Sequence, residues 1–153
     1  YSKKSAYISI RKEHPAGNQA RHFYRSRITS KISNLSRSIK QYRKKTDGMI
    51  PCSGGAQTKV LHFLNDGCKV IKDNLFPIPP LFEMIQQQSK TEWKEMYKVF
   101  NMGHRMEIYT DEQTAKEIIK ISQEFGVEAQ IVGRVEEGEK SVEIYSPYGV
   151  FTY

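Results

Sequence analysis

The sequence predicts an α+β domain, a mixed β-sheet covered by helices. Three observations carry this. The chain has 153 residues, enough for one domain with a real core and too few for two ordinary ones. Its apolar residues switch between helical and alternating spacing along the chain, with no internal repeat. The stretch from Val127 to the end, "VEAQIVGRVEEGEKSVEIYSPYGVFTY", reads as strand, turn, strand, tight turn and short last strand, an antiparallel ribbon.

The elements are these, in chain order. "AYISI" (Ala6–Ile10) is a short strand, and Pro15 and Gly17 break the segment that precedes them. Ile28, Ile32, Leu35 and Ile39 recur at spacings of 4, 3 and 4, which predicts a helix over Thr29–Arg43. "KTDG" is its stop, with Gly48 free to take positive φ. "GMIPC" is a strand, and Pro51, which cannot donate to a ladder, belongs at its end or at a sheet edge. "AQTKVLHFLND" fits a helix ended by Gly67, and "CKVIKD" is the next strand. The prolines of "FPIPP" hold an extended run before a helix, "LFEMIQQQ", with Leu81, Phe82 and Ile85 on one side. A second helix places Trp93, Met96, Tyr97 and Phe100 at i, i+3, i+4 and i+7. "HRMEIYT" alternates, with Met106 and Ile108 facing opposite to Arg105, Glu107 and Tyr109. Thr110, with Gln113 three residues on, caps a helix that aligns Ala115, Ile118, Ile119, Ser122 and Phe125, and Gly126 ends it.

Charge is unevenly placed. Residues 1–50 hold 13 Lys or Arg and 2 Asp or Glu, whereas residues 51–153 hold 11 and 15. Any nucleic-acid argument therefore belongs to the first fifty residues, where Tyr7, Phe23, Tyr24 and Tyr42 interleave with the basic side chains. No recognised binding motif frames them, and a solvated flank is the reading the sequence favours over a nucleic-acid partner. The two cysteines, Cys52 and Cys68, form neither a disulfide framework nor a paired zinc motif, and are expected as reduced thiols. Four histidines at unrelated spacings give no metal cluster, and no metal ligand is expected. No apolar run approaches a membrane span, which points to a soluble cytoplasmic protein without a membrane partner.

Two polar stretches can carry chemistry. In "PCSGGAQTKV" a strand, a glycine pair and a helical run succeed one another. Such a turn can leave main-chain N–H groups bare for an anion, with Ser53 and Gln57 adding side-chain hydrogen bonds and Lys59 adding charge. The same residues can also make a plain strand-to-helix turn, and the spacing is not that of a Walker A loop. In "FNMGHR", Asn101 and Gly103 suit a tight helix-to-strand connection, or Asn101, His104 and Arg105 point polar groups into a cleft.

Four phrases in order, "DGMIPCSGGAQTKVLHF", "DNLFPIPPLFEMIQ", "EMYKVFNMGHRMEIY" and "AQIVGRVEEGEKSVEI", resemble the C-terminal domain of aminoimidazole ribonucleotide synthetase, also called phosphoribosylformylglycinamidine cyclo-ligase. "NMGHRMEIY" is similar to the form found in the Bacteroides group. The resemblance covers residues 42–153 and leaves residues 1–41 as a basic, divergent segment. It implies an ATP-dependent ring closure of formylglycinamidine ribonucleotide in purine synthesis. In that family an N-terminal domain carries most contacts to ATP and Mg²⁺ and makes the homodimer, and the C-terminal domain closes the substrate cleft. No ATP motif or acidic metal cluster stands before residue 42, so the expectation is that this chain does not turn over without that partner domain. By resemblance, Ser53, Gly54 and Gly55 fall in the loop that holds substrate or phosphate, and Asn101 and Gly103 line the same cleft. Together with the residue reading, the candidate substrate- and phosphate-binding set is Ser53, Gly54, Gly55, Gln57, Asn101, Gly103 and His104, with no catalytic residue assigned. The family usually carries a histidine just before the loop; here Pro51 stands there, which removes a proton carrier or phosphate donor. Two other readings stand beside this one: a non-catalytic binding module with a basic nucleic-acid-contacting arm, and a related ATP-using enzyme such as selenophosphate synthetase or thiamine-phosphate kinase.

Overall fold

A computed structural model describes residues 5–11, 35 and 37–153. One mixed sheet of seven strands organises them, in the order β2-β4-β1-β5-β3-β6-β7. The strands are β1 (Ser5–Arg11), β2 (Thr46–Pro51), β3 (Cys68–Lys72), β4 (Met106–Asp111), β5 (Glu128–Glu137), β6 (Ser141–Ser146) and β7 (Gly149–Thr152). All neighbouring pairs are antiparallel except β3 with β6. Besides helical residues 35 and 37–39, the α-helices among the described residues are α1 (Pro80–Ser89), α2 (Trp93–Val99) and α3 (Glu112–Glu124).

The sheet is buried on both faces. Along β4, Ile108 joins a core with Ile8, Leu35, Ile39, Ala115, Ile118 and Val127, beneath α3. Its neighbour Tyr109 points the other way and joins Ile50, Val60, Val70, Tyr97, Val132, Val142 and Ile144, beneath α2 and the run after β2. Period-two alternation sends the two residues to different cores. The expected helix over Thr29–Arg43 falls partly outside the described residues; Leu35 and residues 37–39 are helical, and Lys40–Tyr42 tighten into a 3₁₀ turn. Pro15, Gly17, Phe23 and Tyr24 lie outside the described residues.

Several expectations are corrected. Gly48 does not end a helix in a left-handed conformation; it lies inside β2, where the pairing with β4 slips by one residue. The helix expected from Ala56 is a 3₁₀ helix, Ala56–His62. Leu81 is exposed, and α1 packs through Phe82 instead. Arg105 is exposed, but Glu107 and Tyr109 are buried, so their side of β4 is not a solvent face. The last three strands do not form one ribbon: β6 pairs with β7, but β3 inserts between β5 and β6.

The cap of α3 is Asp111 rather than Thr110. Asp111 Oδ1 accepts from Thr114 N at 2.9 Å and Oδ2 from Thr114 Oγ1 at 2.7 Å, while Thr110 Oγ1 donates to Lys45 O at 2.7 Å. The hydrogen bonds from Thr114 hold the Asp111 carboxyl below its ordinary pKa. Asp111→Ala is expected to cost about 1 kcal/mol at neutral pH. Because the folded-state pKa is the lowered one, the cap's contribution is present above the unfolded carboxylate value and is lost as pH falls through the folded one. Urea titrations of both proteins at neutral and acid pH check this: the gap between them closes on acidification.

Candidate functional site

Two loops meet at the ends of β2 and β4. The first leaves β2 at Pro51. Cys52 N donates to Arg105 O at 3.0 Å, Ser53 N turns back to Pro51 O at 2.9 Å, and Ala56 N donates to Ser53 O at 2.8 Å. Gly55 sits at φ 78° and Ala56 at φ 29°. The second runs from the end of α2 into β4. There His104 N donates to Asn101 O at 2.9 Å, Gly103 N donates to Asn101 Oδ1 at 3.0 Å, and Met102 takes φ 50°. Each loop thus holds a non-glycine residue in the left-handed region, at a cost on the order of 1–3 kcal/mol each, and such strain clusters at functional sites.

The loops are tied directly. Asn101 Nδ2 donates to Cys52 O at 3.3 Å, and Gln57 Nε2 donates to Asn101 O at 2.9 Å. On the outer side, Lys59 Nζ donates to Ser53 Oγ at 2.8 Å and to Pro51 O at 3.3 Å. Ser53, Gly54 and Gly55 are exposed. A Cβ on Gly54 would meet nothing within 4 Å, and its φ lies outside the left-handed region. Neither backbone nor packing inside the protein calls for glycine there, and its bare main chain opens outward.

Beneath the loops lies a buried polar network. Lys72, the last residue of β3, is 0 % exposed and Glu107 of β4 is 1 % exposed. Lys72 Nζ donates to Glu107 Oε1 at 2.6 Å, to Gln57 O at 2.7 Å and to Gln57 Oε1 at 3.0 Å. Tyr109 Oη donates to Glu107 Oε2 at 2.8 Å. Two strands, β1 and β5, lie between β3 and β4. The residues facing this pair across the sheet are small: Gly133 stands opposite Lys72, and Ser9 opposite Glu107. Burial, and then the nearby Glu107 charge, push the Cys52 thiol up to about 12. The same two causes raise Tyr109 well above its ordinary value. Both stay protonated at physiological pH, so Cys52 is a hydrogen-bonding thiol here, not a nucleophile. Both cysteines are free, as expected.

The structure therefore brings all seven candidate residues to one place but divides them by depth. Ser53, Gly54 and Gly55 face out, and Asn101 and Gly103 are half-buried. The side chains of Gln57 and His104 are fully buried. His104 Nδ1 lies 2.6 Å from Ser9 Oγ, and its ring packs on Phe76 with centroids 5.0 Å apart. The strand within the basic first part is thus linked to the site floor. Lys72, Glu107 and Tyr109 were not expected in the site. The available signal was a lysine ending an apolar strand and a glutamate between Met106 and Ile108, which alternation alone assigns to solvent.

Among the described residues, no three His, Cys, Asp or Glu side chains gather into a metal-binding group. Glu107, the carboxylate beneath the loops, is already bonded to Lys72 and Tyr109. These residues do not fit a Mg²⁺ site. Among the described residues, no helix is long and apolar enough to cross a membrane. Of the aromatic residues interleaved in the basic segment, Tyr42 is half-buried and packs against the α3-side core.

Comparison with known proteins adds the family. A model of the AIR synthase related protein, C-terminal domain, matches residues 35–146. The phosphoribosylformylglycinamidine cyclo-ligase of Alkaliphilus metalliredigens is 30% identical over 102 residues, covering 65% of this chain and 29% of that one. The enzyme of the same name from Bacillus pumilus is 35% identical over 97 residues, covering 62% and 28%. The chain thus spans less than a third of the length of these relatives. Among solved structures, phosphoribosylformylglycinamidine synthase II from Thermotoga maritima aligns with a TM-score of 0.62 at 12% identity, over 99% of this chain and 25% of that one. HypE of E. coli, a hydrogenase maturation protein, aligns with a TM-score of 0.62 at 14% identity, over 97% and 48%. At these identities the likeness is one of fold, and it is the α+β fold with a mixed sheet that the sequence predicts. The family match takes in both loops, the buried network under them and five of the seven strands, β2 to β6, and the chain belongs to the AIR synthase related C-terminal domain family.

Proposed function

We propose that this chain is the substrate-cleft domain of a phosphoribosylformylglycinamidine cyclo-ligase, the ATP-dependent ligase that closes formylglycinamidine ribonucleotide to aminoimidazole ribonucleotide in purine synthesis. ATP and Mg²⁺ are held mainly by an N-terminal domain of the full-length enzyme, which forms a homodimer in the cytoplasm. ATP supplies the phosphoryl group that activates the formyl oxygen. The residues of this chain bind and orient the nucleotide. The main-chain N–H groups of Gly54 and Gly55, the Ser53 hydroxyl and the Lys59 ammonium receive its phosphate, and Asn101 and Gly103 form the adjoining wall. Gln57 and His104 support the wall from beneath.

The observation that carries this reading is Gly54. Its backbone is bare, open to the outside and unconstrained from within, beside a lysine that is held over the loop by Ser53. Main-chain donors next to a fixed cation are what a phosphate monoester requires. The name shared by the relatives, phosphoribosylformylglycinamidine cyclo-ligase, supports this choice of substrate class. Calorimetric titration of the chain with formylglycinamidine ribonucleotide, and with the nucleoside lacking the 5′-phosphate, tests it. The nucleotide is expected to bind at least tenfold tighter and to shift the Gly54 and Gly55 amide resonances. Equal affinities, or no binding of either, would sink the proposal.

A further inference from the structure

Gln57 is a buried amide with both ends bonded, and the two ends bond to different things. Its Oε1 accepts from the Lys72 ammonium at 3.0 Å, and its Nε2 donates to the main-chain carbonyl of Asn101 at 2.9 Å. An ammonium has donors only, and a carbonyl accepts only. A flipped amide would place an NH₂ group against Lys72 and an oxygen against the Asn101 oxygen, two repulsive contacts at once. Lys72 thereby fixes which way the amide points. Lys72 is itself fixed by Glu107, and Glu107 by Tyr109. The chain of bonds ends on Asn101, whose carbonyl also accepts from His104 N and whose side chain accepts from Gly103 N and donates to Cys52 O. Asn101 is the residue on which the second loop is folded, and its carbonyl is held by an amide from the first.

We infer that Gln57 is a positioning residue that couples the glycine loop to the Asn101–Gly103 loop, with Lys72 setting the orientation of its amide. Gln57 touches no ligand; it fixes the distance between two loops that do. The part of the inference that concerns a shared ligand rests on the function proposed above. The coupling itself is present in the free protein.

Two variants of the full chain test it, each read by amide hydrogen exchange at Gly103 and His104, with the Val142 amide as an internal reference. Val142 N donates to Tyr153 O in β6, four places from β4 in the sheet order. Gln57→Glu keeps an acceptor for Lys72 and removes the donor to Asn101. At pH 8 exchange at Gly103 and His104 is expected to rise at least tenfold over wild type, with Val142 unchanged. Protonating the introduced carboxyl restores an O–H donor toward Asn101, so the ratio to wild type falls back toward one as pH drops. The charged and titratable groups around that position are Lys72, Glu107, Tyr109, Cys52, Lys59 and His104, all retained in both proteins and compared at each pH.

Should Gln57→Glu fail to fold, Gln57→Met decides. It leaves Lys72 bonded to Glu107 and to the residue-57 carbonyl, and deletes the bond to Asn101. It is expected to raise exchange at Gly103 and His104 at every pH. Unchanged exchange at those two amides, or an equal rise at Val142, overturns the inference, since a purely structural role loosens the whole sheet together. Nucleotide affinity separates the two readings. A wild-type chain that binds no formylglycinamidine ribonucleotide removes the proposed function and leaves the exchange result to judge the coupling. A wild-type chain that binds it, with at least tenfold loss in Gln57→Met, supports both.

Discussion

Replacing Lys72 with methionine is expected to destabilise the domain by about 3–5 kcal/mol, the cost of leaving one partner of a buried ion pair alone. Methionine keeps most of the stem's volume, so the effect isolates the charge. Glu107, 1 % exposed, loses its cation, and the Gln57 carbonyl and amide oxygens lose their donor. For a chain of this length the melting temperature should fall by roughly 6–20 °C. The double variant Lys72→Met/Glu107→Gln restores neutrality while keeping an acceptor for Tyr109, and is expected to recover more than half of the loss. Urea unfolding followed by circular dichroism measures all three proteins. A single-variant loss below about 1 kcal/mol would mean that water reaches Glu107 and that the pair is not buried in solution.

The second large effect concerns the strand that comes from the basic part of the chain. Ile8→Ala is expected to cost about 2–5 kcal/mol. Ile8 is fully buried, lies opposite Ile108 in the β1–β4 ladder, and shares a core with Ile118 and Val127. β1 stands between β4 and β5, so a cavity there opens in the middle of the sheet, where neighbours on both sides are pinned by pairing. Cavities that cannot collapse are the costly ones. If Ile8→Ala unfolds at the same urea concentration as wild type, β1 does not form part of the sheet in solution.

The reach of each sequence signal decided how much of the structure could be read from it. Helix α3 was legible because its apolar stripe and terminal Gly126 are local, and its burial of Ala115, Ile118 and Ser122 matches the stripe. Its cap was misplaced by one residue because Thr110 and Asp111 both offer a side-chain oxygen, and only the path of the chain decides that Thr110 bonds to Lys45 instead. The strands at the end of the chain were legible as strands, but not their pairing: the partner that separates β5 from β6 lies some sixty residues earlier. The two loops were legible as turns because serine, glycine and asparagine mark turns by type. The floor under them was not. A glutamate flanked by apolar residues in a strand reads as solvent-facing, and the cation that makes its burial possible comes from a strand three places away in the sheet.

The central position of β1 has a consequence for how the protein is made. β1 leaves the ribosome before either of its neighbours, β4 and β5, which begin at Met106 and Glu128. At translation rates of 5–20 residues per second, roughly 5–20 s separate its appearance from that of its first partner. Throughout that interval both of its edges are open, in a segment dense with lysine and arginine. Like charge on the nascent segment keeps such an edge from pairing with another nascent copy. The basic composition of the first residues thus bears on the birth of the sheet.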